Sequence, residues 1–321
     1  MAAEKADVLL ICPPKPVIVN GLSGAFNLVK FPDGKDRDKF FAESAPRVRA
    51  MAVAATEERV DGPFMTRFPR LEIISSFGVG YDHVDAAWAG AHGITVTNTP
   101  DVLTEEVADT AIGLLLCTVR EFPQAERYLR AGKWLQKNYP LSQATLRDRT
   151  VGMVDARRLA AMQVPVVYHS RRPAAGVPYR HYPKLIGMAR DVDVLMVITP
   201  GGAETKNLIN AEVLAALGPD GILINMSRGS VVDEPALIKA LQQKTILSVG
   251  LDVFAREPEV PAELIAMDHV VLLPHLGSAS VATRERMDQV VVDNLLAWAA
   301  GKPPLTPVPE TPWPPKQRKG A

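Results

Sequence analysis

The segments VDVLMVIT (192–199) and GILINMS (221–227) are apolar through their centres and lack the in–out alternation of a strand wetted on one face. Such a strand needs cover on both sides, which parallel sheets obtain from their crossover helices. Further short strands are read in ADVLLIC, RAMAVAA, LEIISSF, ITVTNT, TVGMV, VPVVYHS, SVGLDVF and VVLLPH, several of them also apolar throughout, with helical stretches such as DEPALIKALQQ between them. Strands alternating with helices predict an α/β protein with doubly wound parallel sheets. Ten strands are too many for one compact open sheet in a chain of 321 residues, so two such domains are expected.

Composition narrows the partners. Lysine plus arginine and aspartate plus glutamate are both 36, so the formal net charge is zero. No basic excess favours nucleic acid or an anionic membrane surface. The apolar runs are far shorter than a membrane span, and the one in MAAEKADVLLICPPKP is too short for a secretory signal. Cys12 and Cys117 imply neither a disulfide framework nor a metal cluster. A soluble, cytoplasmic protein is expected.

The boundary falls near NTPDVLTEEVADTAIGLLLCTVREF, where Thr104 is the expected N-cap of a long helix with Glu105 and Glu106 in its first turn. The layout predicted is a first domain over 1–100 and a second over 101–284. The last helix, SVATRERMDQVVVDNLLAWAAG, returns to the first domain, so that 285–321 belongs with it. KPPLTPVPETPWPPKQRKGA then reads as a proline-rich tail without periodicity.

Three polar residues stand where strands end: Arg228 after GILINMS, Glu257 after SVGLDVF and His275 closing VVLLP. Open α/β sheets bind ligands beyond the carboxyl ends of their strands. An arginine can hold a carboxylate bidentately, and a histidine beside a carboxylate can move a proton near neutral pH. That set suits a 2-keto acid, whose carboxylate is anchored and whose carbonyl is protonated as hydride arrives. Any one of these residues alone would read as an ordinary surface charge.

NMSRGSVVDEPAL, LDVFAREPEV, LLPHLGSAS, SSFGVGYDHVD and NTPDVLTEEVAD together resemble the signature segments of the D-2-hydroxyacid dehydrogenase family, closest to glyoxylate/hydroxypyruvate reductases, over residues 47–309. The resemblance implies a flavodoxin-like substrate domain, a Rossmann-type cofactor domain and a homodimer. The apolar run TAIGLLLCTV (110–119) and the following AERYLRAGKW offer more hydrophobic surface than one domain would readily cover, which favours the same pairing. It implies that Arg228 binds the substrate carboxylate, that His275 is the acid/base and that Glu257 is its partner. The amides of Val79 and Gly80 would meet the substrate carboxylate. Met226, Asp252 and Gly277 would adjoin the nicotinamide, with Thr104 near it across the hinge, and Thr199 and Pro200 would line the nucleotide groove. Two other readings stay open: a non-enzymatic regulatory or binding protein on the same scaffold, and a dehydrogenase for a bulkier 2-keto acid.

Cofactor choice is read from HSRRP. A site for the ribose 2′-hydroxyl of NAD ends its second strand in Asp or Glu, whereas a 2′-phosphate calls for arginine. Ser170, Arg171 and Arg172 occupy this position, so NADPH is preferred and NADH remains possible. Upstream, TVGMV passes to VPVVYHS through DARRLAAMQ, without glycine. The family would carry a G-x-G-x-x-G loop after Val154, so roughly eight to ten residues are missing from a normal crossover. An unrecorded segment is preferred over a true deletion. It predicts Cα atoms of Val154 and Asp155 further apart than the about 3.8 Å of a trans peptide.

Overall fold

A computed structural model describes residues 5–13, 15–32, 34–54, 58–152 and 157–315. The expected break between Val154 and Asp155 lies outside the described residues. The chain divides into two compact units, Met1–Thr104 with Ser280–Ala321, and Glu105–Ala279.

Unit 1 is built on a five-stranded sheet of β1 (Asp7–Ile11), β2 (Asn27–Lys30), β3 (Val48–Ala54), β4 (Ile73–Phe77) and β5 (Thr95–Thr97). Its order is β2-β1-β3-β4-β5 and every pairing is parallel. The helices Pro16–Ser23 and Val281–Ala299 cover one face, where Val8, Ile18, Leu22, Val291 and Leu295 are buried. They approach closely because Gly21 has no side chain: a Cβ there would stand 2.8 Å from Val292 Cγ1. Leu9, Met51, Ile74 and a group of phenylalanines fill the other face.

Unit 2 carries seven strands: β6 (Val151–Gly152), β7 (Val166–His169), β8 (Arg180–Tyr182), β9 (Val194–Val197), β10 (Ile222–Asn225), β11 (Ser248–Leu251) and β12 (Val271–Leu272). They are all parallel, in the order β12-β11-β10-β9-β6-β7-β8. The winding reverses between β6 and β9, the kind of switch point beside which open sheets bind ligands. Each residue of β9, β10 and β11 is buried, as their apolar centres required, the polar Asn225 and Ser248 at strand ends included. The expected class, two doubly wound parallel α/β units, is the one observed.

Strands occupy all ten predicted segments, and two more were not foreseen. β2 and β8 are edge strands of four and three residues, half-exposed and without a long apolar run. Thr104 is the first residue of the helix Thr104–Arg120, and not its N-cap; its own amide donates to Asp101 O at 3.2 Å. The apolar run 110–119 inside that helix buries Ala111, Leu114, Leu115 and Val119 in the core of unit 2. Among the described residues, no helix is long and apolar enough to cross a membrane.

Candidate active site

The carboxyl ends of β10, β11 and β12 bring Arg228, Glu257 and His275 into one region of unit 2. After β10 the side chain of Asn225 ties the chain down: its Oδ1 accepts from the amide and hydroxyl of Ser227, and its Nδ2 donates to Arg228 O. Arg228 in turn donates from Nη1 to Ser227 O. Gly229 allows the backbone to press against the segment after β11, since a Cβ there would fall 1.9 Å from Phe254 C and O. Only glycine permits that approach, and it sets the guanidinium beside the loop that carries Glu257.

Glu257 is held from two sides. Its Oε1 accepts from Phe254 N at 3.0 Å, and its Oε2 stands 2.6 Å from His275 Nδ1. Burial pushes the Glu257 carboxyl up, but bonds from His275 and the Phe254 amide, with the charges of His275 and Arg228, outweigh it. The group stays below the ordinary carboxylate range, hence ionised at neutral pH. An ionised acceptor fixes Nδ1 as the donor and leaves Nε2 as the ring atom that can exchange a proton. The His275 side chain is 46% exposed, so that exchange is physically open to a ligand.

Asp252 supports the histidine from beneath. It is 2% exposed, and its two oxygens accept from Leu276 N at 2.8 Å and Gly277 N at 2.9 Å. Its own carbonyl accepts from His275 N. Burial pushes its pKa up from the ordinary value, against the pull of those two amides. His275 sits at φ +51°, a left-handed conformation that a non-glycine residue adopts only where its surroundings hold it. Four of the five other histidines are engaged differently: His92, His169 and His181 each set a ring nitrogen against a backbone carbonyl, and His83 meets Ser76.

Val79 and Gly80 follow β4 in unit 1. Gly78 turns the chain at φ +128° and is bonded twice to Thr99, by Thr99 N to Gly78 O and by Gly78 N to Thr99 Oγ1. Asn98 Nδ2 holds Val79 O at 2.9 Å. Among the described residues, the amides of Val79 and Gly80 meet no protein acceptor. Two adjacent unspent amides in a fixed turn can receive an anion. Thr104 is exposed at the end of unit 1.

Back in unit 2, Thr199 and Pro200 follow β9, and Pro200 O accepts from Thr205 Oγ1. Ser170, Arg171 and Arg172 follow β7 with no acid among them. Arg171 pairs instead with Glu204 at 2.7 Å, both well exposed.

Residues 112–277 match the family model for the NAD-binding domain of D-isomer specific 2-hydroxyacid dehydrogenases. The chain is 40% identical over 313 residues to glyoxylate/hydroxypyruvate reductase A of Arabidopsis thaliana, covering 95% of this chain and 99% of that protein. It is equally similar, 40% over 312 residues, to hydroxyphenylpyruvate reductase of Plectranthus scutellarioides, with the same shares covered. The fold superposes with a TM-score of 0.90 on an NADPH-dependent glyoxylate/hydroxypyruvate reductase from Sinorhizobium meliloti solved with NADP and malonate. That pair is 47% identical and covers 99% of this chain and 100% of the other. The chain belongs to the D-isomer specific 2-hydroxyacid dehydrogenase family. It is therefore an NAD(P)-dependent oxidoreductase acting at carbon 2 of hydroxy or keto acids, and the reading as a non-enzymatic regulator is set aside.

The residues present fit a nicotinamide cofactor at two places. A Cβ at Gly277 would lie 3.1 Å from Asp252 Oδ2 and 3.3 Å from Met226 Cε, so the bare glycine keeps space open beside both predicted neighbours of the ring. At the end of β7, two guanidinium groups replace the acid that would prefer a free ribose. The expected phosphate loop falls on residues 153–156, outside the described residues; the helix beyond it, Arg157–Ala161, has five residues. Sequence reasoning missed Asn98, Thr99, Asn225 and Ser227, which contact the backbone of the site loops. Their one signal was position, immediately after β5 and at the end of β10.

The depressed Glu257 pKa makes stability pH-dependent. A carboxyl whose folded value lies below its unfolded one contributes fully above the unfolded pKa, roughly 4.3, and loses that contribution as pH falls through the folded value. The stability gap between the parent and Glu257→Gln should therefore be widest near neutrality and close in acid, read by denaturant unfolding across pH. A gap independent of pH would contradict an ionised, paired Glu257.

Proposed function

We propose that this dehydrogenase reduces a small 2-keto acid of the glyoxylate and hydroxypyruvate type with NADPH. The 2.6 Å pair of His275 and Glu257 carries the reading, because a carbonyl becoming an alkoxide needs a proton at the moment hydride arrives. When bound, NADPH supplies that hydride. Arg228 binds the carboxylate and polarises the adjacent keto oxygen. His275 gives its Nε2 proton to that oxygen. Glu257 keeps the ring oriented and favours the charged form that has a proton to give. In unit 1, the Val79 and Gly80 amides receive the substrate carboxylate. The names of the Arabidopsis and Sinorhizobium relatives support the substrate class, whereas the Plectranthus relative is named for a bulkier keto acid. Rates with glyoxylate, hydroxypyruvate and hydroxyphenylpyruvate decide between them; a clear preference for the aromatic acid would overturn the small-substrate reading.

His275→Asn is expected to remove nearly all reductase activity while NADPH affinity stays within a few fold, by stopped-flow turnover and fluorescence titration. In Glu257→Gln, the neutral amide no longer favours imidazolium, so the pH profile of reduction should fall off at lower pH than in the parent. An unmoved profile would refute the pairing.

The preference for NADPH is assigned to Ser170, Arg171 and Arg172, with a 2′-phosphate taking Arg171 over from Glu204. A charge-assisted bond contributes about 1.5–3 kcal/mol, roughly tenfold or more in affinity. Replacing both arginines with neutral residues should accordingly weaken NADPH far more than NADH. Equal weakening of the two would remove the 2′-phosphate role.

A homodimer is part of the same proposal, supported by apolar surface that unit 2 leaves uncovered. The buried run 110–119 does not supply it; the next helix, Phe122–Arg130, buries none of its residues. Phe122, Leu129, Trp134, Leu135 and Leu141 are exposed, and Phe122 and Leu141 line a cleft of about 700 Å3 with Arg120, Tyr139 and Arg149. Light scattering at micromolar concentration should give twice the chain mass, with Leu135→Glu shifting it toward the monomer.

A further inference from the structure

The proline-rich segment that follows the last helix read as a tail, yet its described part is built into unit 1. Pro307 bridges Thr97 in antiparallel fashion, Val308 N donates to Val96 O, and Thr311 Oγ1 both accepts from Val96 N and donates to Val96 O. Val308 and Thr311 are 2% and 3% exposed. The segment thus runs along β5, the edge of the sheet, where it also shields an edge from pairing with other chains. Shielding alone does not account for where its polar side chains go.

Two of them lead to the Gly78–Tyr81 turn. Thr306 Oγ1 donates to Asn98 O at 2.6 Å, Asn98 N donates to Thr306 O, and Asn98 Nδ2 holds Val79 O. Thr306 is itself fixed by Asn294, which is fully buried on the last helix. Asn294 Oδ1 accepts from Leu305 N and Thr306 N, and its Nδ2 donates to Thr306 Oγ1. On the far side of the turn, Tyr81 OH donates to Glu310 Oε2 at 3.1 Å; burial and that bond push the phenol up to about 12. The turn is gripped before and after its two unspent amides: residues 306–310 supply the grips at Val79 and at the Tyr81 side chain, beside the backbone ties of Thr99 to Gly78 and of Val84 N to Tyr81 O.

We propose that this segment is a positioning brace for the carboxylate-binding turn. Thr306 acting through Asn98, and Glu310 acting through Tyr81, fix the direction in which the Val79 and Gly80 amides point. Neither residue touches substrate; both set how well a carboxylate is received. The proposal rests on the reading that those two amides bind the substrate carboxylate.

The test uses Thr306→Val, which keeps the shape and removes the hydroxyl, with Thr306→Ser as the conservative control. Expected for Thr306→Val is a rise of about tenfold in KM for glyoxylate and in the dissociation constant of oxalate, the loss of one or two well-aligned hydrogen bonds. NADPH affinity and kcat should stay within about twofold, and Thr306→Ser should restore the parent values. Tyr81→Phe probes the other grip and carries the same expectation, a several-fold rise in KM, if Thr306→Val does not fold. A lowered melting temperature with unchanged KM and oxalate affinity in both variants would overturn the brace and leave an edge cover. Amide NMR of the parent titrated with oxalate in the presence of NADP+ separates this from failure of the underlying reading. If the Val79 and Gly80 resonances do not move, the carboxylate assignment itself falls and the brace with it. If they move in the parent but the variants bind oxalate equally well, the brace alone is lost.

Discussion

The buried carboxylate of Asp252 is the interaction on which the arrangement around His275 rests. Three consecutive backbone amides, those of His275, Leu276 and Gly277, all donate to this one residue, the first to its carbonyl and the others to its side chain. Regular strand or helix does not direct three consecutive amides at a single residue, and the chain is bent into a turn around the acceptor. That turn holds His275 at positive φ and sets its Nδ1 against Glu257. A carboxylate is suited to the task because charge-assisted bonds are stronger than neutral ones, enough to retain a strained residue.

Much of this was legible in the sequence because the physical demands were local. Strands such as VLMV and ILIN have no wet face, so their sequence alone requires helices on both sides, and the parallel order of β9, β10 and β11 follows. The strand-end positions of Arg228, Glu257 and His275 then followed from where each apolar run stops. β2 and β8 escaped notice because edge strands of three or four residues owe their pairing to neighbours already in place. The run 110–119 looked like excess hydrophobic surface only because the core that receives Ala111, Leu114 and Leu115 is assembled from distant strands. For the same reason the proline-rich segment read as a tail: its order comes from pairing with β5 and from Asn294, neither of which leaves a periodic pattern in its own residues.

Glycine marks the places where backbone approach does what side-chain pattern cannot. At position 229 it lets the Arg228 loop lie against the Phe254–Ala255 backbone, and at 277 it leaves room beside Asp252 and Met226. These contacts bring segments from the ends of β10, β11 and β12 close enough for one guanidinium to act on Glu257. Register alone would bring the strand ends near one another, but a Cβ at 229 would force the Arg228 and Glu257 loops apart.

Two carboxylates five residues apart in sequence are driven in opposite directions by their surroundings. Asp252 lies beneath the turn, buried, and its pKa is raised; Glu257 lies toward solvent between a histidine and an arginine, and its pKa is lowered. The difference follows from what each carboxylate faces. Asp252 is offset chiefly by backbone amides, whose dipoles only partly counter desolvation, whereas Glu257 adds to one backbone amide the bond from His275 and the nearby Arg228 guanidinium, which together overcome it. The clamp can afford a perturbed carboxyl because its donors are fixed in the backbone and do not move during chemistry. The partner of a proton-exchanging ring must remain an anion throughout, since a protonated Glu257 would no longer favour imidazolium. Placing one carboxylate beneath the turn and the other toward solvent separates holding the ring's backbone from tuning the ring's charge, so the acid beside the ring can change without undoing the turn that carries it.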